Sequence, residues 1–374
     1  MMASPAHAGS YKVLHSFGGS GDGDYPIAGL IKVGDTLYGT TQGVYNGDVG
    51  TVFSLNLKTG KETVLYQFQG GSDGAYPHAN LISVGSKLYG TTIYGGIYTN
   101  CGGSGCGTIF SVDRVTGAET VLHRFKNGAD GAGPLSSLIN VSGILFGTTT
   151  GGGGRGDGTI FSLNLTSNKE KVVYRFTGYP DGETPWAGLI EVGGLLYGTA
   201  ELGGDQNNPI GTVFSFDPKS EAFKVVHAFQ GYPDAGCPTT NLLDFGGTLF
   251  GTANCVEDGA VFSVNPKTMA EKVLYSFQGG NDGEQPDGSV IKVGRLLYGT
   301  TLEGGGITEV CGTGCGTVFS LDPKTGTETV LHSFGTGVDG IGPYSGLLDV
   351  SGKLYGTTNR GGIYNEGTIF EITP

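Results

Sequence analysis

Basic residues are scarce in this chain: 21 of its 374 residues are Lys or Arg, against 34 Asp or Glu, for a net charge of −13. No basic run occurs, which argues against a nucleic-acid partner, since neutralising phosphates needs clustered Lys and Arg. Long apolar runs are also missing. None approaches the ~18 residues of a membrane-spanning helix, so no membrane span is expected. No stretch keeps a helical period, and no P-loop, Rossmann fingerprint, nucleophile elbow or metal-binding helix motif is present. These gaps leave no cofactor and no metal to call for. Trp occurs once, at position 186.

Glycine is abundant, at 73 residues. No Gly-X-Y period accompanies it, which excludes collagen, and short apolar runs such as residues 51–55 and 120–123 recur throughout, which argues against disorder. High glycine with many short apolar runs means many tight turns between many short strands.

The runs repeat. Phe17, Phe68, Phe125, Phe176, Phe229, Phe277 and Phe334 mark one position in seven units of roughly fifty residues. A period of that size with four strand-like runs per unit points to a propeller. One unit reads as strands over residues 81–84, 87–92, 108–113 and 119–125, with turns at 85–86 and 116–117. The last unit ends after its third strand, and residues 11–17 form a fourth strand with no unit before it. The N-terminal strand is therefore expected to complete the last blade and remove an open edge. The reading is an all-β, seven-bladed β-propeller: residues 11–374 as one domain, preceded by a disordered leader over residues 1–10. Ala6, His7 and Ala8 match the small-x-small pattern before an export cleavage site, without the apolar stretch that precedes it in a full signal.

The recurring blocks LYGTT (residues 88–92), GTVFS (50–54) and VLYSF (273–277) resemble the extracellular tandem repeat called the gloeo-verruco, or GloVer, repeat, over essentially all of residues 11–374. The resemblance implies an exported bacterial protein, secreted or at the cell surface. It carries no activity and assigns no residue a catalytic role.

In such a ring the turns on one face are short throughout. The other face holds the variation: the loops after the second strands run from five residues, after Ala253, to fourteen, after Thr92 and Thr301. Variable loops on a rigid scaffold are where function tends to sit. All six cysteines fall on that face and pair as Cys101–Cys106, Cys237–Cys255 and Cys311–Cys315, disulfides that pin glycine-rich loops in an oxidising compartment. Metal binding is the rival reading, but the Cys101–Cys106 and Cys311–Cys315 pairs lie two or more blades apart around the ring, where four thiolates rarely converge.

Two features recur in every unit and read as architecture. His15, His123, His227 and His332 alternate with Tyr66, Tyr174 and Tyr275, packing between blades with one polar tip bonded. Asp22, Asp73, Asp130, Asp181, Asp234, Asp282 and Asp339 precede a proline by four positions and read as turn caps; they lack the density of a calcium loop. Asn140 and Asn164 head glycosylation-like triplets beside strands and are set aside.

The positions that change while the frame stays fixed are more informative. Directly after the proline come Ile27, His78, Leu135, Trp186, Thr239, Asp287 and Tyr344, expected to ring the channel mouth. After the second strand come Glu201 and Asn254 among others. Trp186, Asp287, Glu201, Asn254 and Thr239 suit a sugar ring, with a flat apolar face for stacking and polar groups for hydroxyls. The first reading is an exported, monomeric propeller that binds a glycan or other extracellular ligand at its loop-rich face. The second is a polysaccharide lyase or glycoside hydrolase, with His78 and Tyr344 or Tyr76 as catalytic base and acid or Glu201 and Asp287 as a carboxylate pair. The third is a surface scaffold for other proteins.

Overall fold

A computed structural model describes residues 9–19, 21–43, 47–97, 100–306, 308–335 and 338–374. The expected leader thus lies outside the described residues up to position 8. Seven antiparallel sheets form the blades of a propeller; six are built on four strands in chain order, and the last takes its fourth strand from the N-terminus. The third blade is typical: Ile139–Val141, Ile144–Thr149, Thr159–Asn164 and Lys169–Arg175 pair in sequence order. The second blade gains an extra strand, Gly74–Pro77, paired with an extended second strand, Lys87–Gly95. A four-residue helix, Thr308–Cys311, interrupts the long loop of the sixth blade.

The last blade closes as expected. Tyr11–Ser16 pairs antiparallel with Thr368–Ile372. The ladder reaches one residue further, where Ser10 accepts a hydrogen bond from the Thr373 N–H at 3.1 Å.

The repeated phenylalanine that aligns the units is the key of the blade seams. Each such ring is at most 2% exposed, and each packs on the third-strand phenylalanine of the next blade, with centroids 5.0–5.3 Å apart. Close packing of those rings dictates a glycine in the second strand. A Cβ at Gly198 would stand 2.7 Å from Phe214, and the same clash recurs in every blade. The fourth strands are bulged at one common place, as between Val52 and Phe53 on the partner register. A bulge re-aims the side chain that follows it, here the His or Tyr of each unit.

Those His and Tyr tips meet the repeated aspartates. All seven pairs are hydrogen bonded at 2.5–3.3 Å, from His15–Asp22 to His332–Asp339. The carboxylates also cap turn amides, as Asp73 does for the Gln69 N–H. Both features are therefore architectural, and they are one feature rather than two. Asn140 and Asn164 spend their side-chain oxygens on turn amides as well.

Candidate functional site

The prolines explain why seven variable side chains are aimed at one point. The residue before each proline has a left-handed backbone, with φ between +54° and +64° at Tyr25, Tyr76, Gly133, Thr184, Cys237, Gln285 and Gly342. That conformation is disfavoured for non-glycine residues, so something must hold it. Its N–H is bonded to a carbonyl of the preceding blade, as Thr184 to Asp157 at 3.0 Å, and its carbonyl usually accepts from the residue after its own second strand, as from Glu201 at 3.1 Å. The proline ring then packs on the glycine that opens the preceding blade's third strand. A Cβ at Gly50, Gly107, Gly158, Gly211, Gly259, Gly316 or Gly367 would lie 2.2–2.8 Å from the next blade's proline Cδ. Each proline is thus wedged at a seam, and the residue after it turns towards the axis.

The result is one central cavity of about 80 Å³. Ile27, His78, Leu135, Trp186, Thr239, Asp287 and Tyr344 all line it. The expected ring of mouth residues is therefore brought together in full. His78 stands edge-on to two other rings, with centroids 6.1 Å from Trp186 and 5.7 Å from Tyr344 at interplanar angles of 74° and 88°. Tyr76 is not part of this group; its ring packs against Tyr94 instead.

Glu201 and Asn254 join from the second set of loops. The Asn254 side-chain N–H₂ donates to the Asp287 carboxylate and, at 3.4 Å, to the Thr239 hydroxyl. Glu201 lies beside the Trp186 indole and is raised above the usual carboxylate range by burial, against the pull of that indole. The indole Nε1 and the Asn254 Oδ1 are both buried with no partner in hydrogen-bonding geometry.

Burial sets the protonation states. It pushes Asp287 up to about 6, against the Asn254 hydrogen bond and with the help of Glu201 and Glu303. It pushes His78 down to about 4, so this imidazole is neutral at pH 7. Tyr344 is raised by burial and by the nearby Asp287 and Glu201 charges. No Lys or Arg lines the cavity among the described residues.

Two features were not anticipated from sequence. The floor of the cavity is a second ring, three positions past each proline. There the Asn80 side chain accepts from the Gly29 N–H, Ser137 from Asn80, Asn241 from Gly188 and Ser289 from Asn241, at 2.6–3.2 Å. These bonds tie neighbouring blades at four of the seven seams, and the alternation of Gly, Asn and Ser at that position was the available signal. Second, a cleft of about 550 Å³ opens beside the cavity and shares His78, Leu135 and Trp186 with it. Its far wall is the Cys101–Cys106 loop.

All three expected disulfides are present, Cys101–Cys106, Cys237–Cys255 and Cys311–Cys315. One group among the described residues, His123, Asp130 and Glu170, gathers possible metal ligands within 4.8 Å. It is one copy of the blade seam described above, whose His–Asp bond recurs around the ring.

A family model for the Gloeobacter/Verrucomicrobia repeat matches residues 3–210, 96–310 and 208–374. The chain belongs to that repeat family. No curated protein matches this member of it. Among solved structures, the repeat chain is similar to the extracellular domain of a putative hybrid two-component system from B. thetaiotaomicron, with a TM-score of 0.62 and 9% identity over 96% of this chain and 39% of that one. It is also similar to an oligogalacturonate lyase from Vibrio parahaemolyticus, with a TM-score of 0.58 and 11% identity over 100% of this chain and 95% of that one. At such identities the likeness shows the propeller fold alone. No helix among the described residues is long and apolar enough to cross a membrane, and the three disulfides are consistent with an extracellular location.

Proposed function

We propose that this Gloeobacter/Verrucomicrobia repeat protein is an exported binding module that holds a glycan at the axial cavity of its loop-rich face. The observation that carries the reading is the convergence of seven different side chains, one from each blade, on a single cavity. Everything around that cavity repeats; the cavity wall does not. A purely architectural ring has no use for seven different residues at an equivalent position. Trp186 supplies a flat apolar surface, and Asp287, Asn254 and Thr239 form a linked polar array suited to hydroxyl recognition. The adjoining cleft falls within the ~300–1,000 Å³ range of ligand sites and gives the rest of a chain somewhere to lie. The disulfides and the family support export, and a monomer suffices because the site is complete within one ring.

The contact between His78 and Tyr344 favours a second reading, a lyase or hydrolase in which the neutral imidazole takes a proton and the phenol gives one. A glycan array and a polysaccharide-depolymerisation screen separate the two, run on the wild type, Trp186→Ala and His78→Ala. The binding reading expects retention lost with Trp186→Ala and no products. Products that vanish with His78→Ala would replace it with the enzyme. Silence from all three proteins would sink both and leave a protein-interaction scaffold.

A further inference from the structure

The axial cavity is acidic and aromatic, with no built-in counter-charge. Asp287 and Glu201 stand close enough to raise Tyr344 together, and Glu201 helps raise Asp287. Buried like charges disfavour each other, and no Lys or Arg lines either the cavity or the adjoining cleft among the described residues. The neutral His78 offers no relief at pH 7. The wall that carries Asp287 also carries three aromatic rings, with His78 nearly at right angles to Trp186 and to Tyr344. A cation is attracted to the face of an aromatic ring within about 6 Å of its centroid, Trp being the best, and enclosing rings are how organic ammonium groups are recognised.

Size narrows the choice further. The cavity's volume of about 80 Å³ is well under the ~300–1,000 Å³ of a site that encloses a drug-sized ligand. It admits a head group of a few heavy atoms and not a whole sugar ring. A calcium ion asks for six to eight oxygen ligands, whereas Asp287 is the one carboxylate that lines this cavity among the described residues. An anionic head group would meet the Asp287 carboxylate, with the Glu201 charge near it and no Lys or Arg in the wall among the described residues.

We propose that the axial cavity is a cation-binding cage for an organic ammonium, so that the ligand of this site carries a positively charged amino group at the point that enters the ring. Resting on the glycan reading above, this makes the ligand a sugar with a free amine, as in a deacetylated amino-sugar chain, and excludes acidic uronate chains. The ammonium sits between Asp287 and the aromatic walls, and the remainder of the chain runs out past Trp186 and His78 into the cleft.

Trp186 is the protein's only tryptophan, so its fluorescence reports on the cavity directly. Tetramethylammonium, glucosamine oligomers, N-acetylglucosamine oligomers, oligogalacturonate and calcium chloride are titrated separately at constant ionic strength, near pH 7. Saturable changes with tetramethylammonium and glucosamine oligomers, and none with the others, are expected. Asp287→Asn and Glu201→Gln, each checked for native circular dichroism, should each weaken both ammonium ligands about tenfold or more, the scale of one lost charge-assisted contact. Equal or tighter binding of the N-acetylated oligomers would overturn the ammonium inference and leave the glycan reading standing. Tetramethylammonium binding without any response to the sugars would do the reverse. A saturable response to calcium or to oligogalacturonate overturns the inference, as does a silent Trp186 with every probe. Undiminished ammonium binding by both variants overturns it too, whichever probe binds.

Discussion

Asp73 shows how much one repeated side chain carries. It accepts the Tyr66 hydroxyl at 2.9 Å and the Gln69 N–H at 2.8 Å. Tyr66→Phe removes the first donor and leaves the carboxylate short of a partner, a loss of about 1–3 kcal/mol. Tyr66→His should cost far less, because His fills the same place in four of the units; urea unfolding of the two variants checks the difference. Gly211→Ala tests the seam wedge. Its new Cβ would meet the Ala200 carbonyl at 2.5 Å and Pro238 Cδ at 2.8 Å, at φ +104°. Backbone strain of that kind costs about 1–3 kcal/mol, and a lowered midpoint in the same assay is the expected result. At this scale the sequence showed a His-or-Tyr position and an Asp position but not their union. The constant offset of seven residues between them was the readable signal. The bulge that bridges it belongs to the fold.

Between elements, the seams hold a second repeated device. The first or second residue of the fourth strand is Glu in five blades, Glu62, Glu119, Glu170, Glu271 and Glu328, and each faces the aspartate of the preceding blade. Each has one buried oxygen without a partner. Burial and the facing aspartate raise Glu62 and Glu119 to about 7 and Glu271 and Glu328 to about 8. Burial likewise raises Glu170 to about 7, with His123 opposing and Asp130 adding to it. In the other two blades an aromatic ring replaces the carboxyl and stacks on the seam: Phe223 on Tyr174 and Tyr11 on His332, both at 3.9 Å. The five glutamates have folded values above their unfolded value of 4.5. Their contribution is therefore complete below about pH 4.5 and is lost as the pH climbs through about 7 to 8. The unfolding temperature should fall between about pH 5 and pH 8.5, and Glu271→Gln with Glu328→Gln should flatten that slope. An unfolding temperature that rises over this range would refute the assignment.

The whole molecule depends on closure. Removing residues 1–17 takes away Tyr11–Ser16 and leaves Thr368–Ile372 as an exposed edge. Open edges invite pairing with other chains, so the truncated protein should melt lower and self-associate on size-exclusion chromatography. The seven blades, the closing strand, the three disulfides and the ring of residues after the prolines were all legible, because repetition averages away local ambiguity. A pattern seen seven times needs no propensity argument. Glu201 and Asn254 were legible as candidates, but their attachment to Trp186 and Asp287 was not.

The division has a physical basis. Sequence by itself determined which positions are frame and which are free, since the frame must satisfy the same seam in every blade. The shape and charge of the cavity were decided only in three dimensions. The left-handed residue before each proline, wedged against the glycine of the neighbouring blade, aims seven side chains at one axis. Their mutual distances there, and the burial that leaves His78 neutral and brings Asp287 to about 6, arise from residues far apart in the chain, such as His78 and Tyr344, 266 positions apart, which only the closed ring brings into contact.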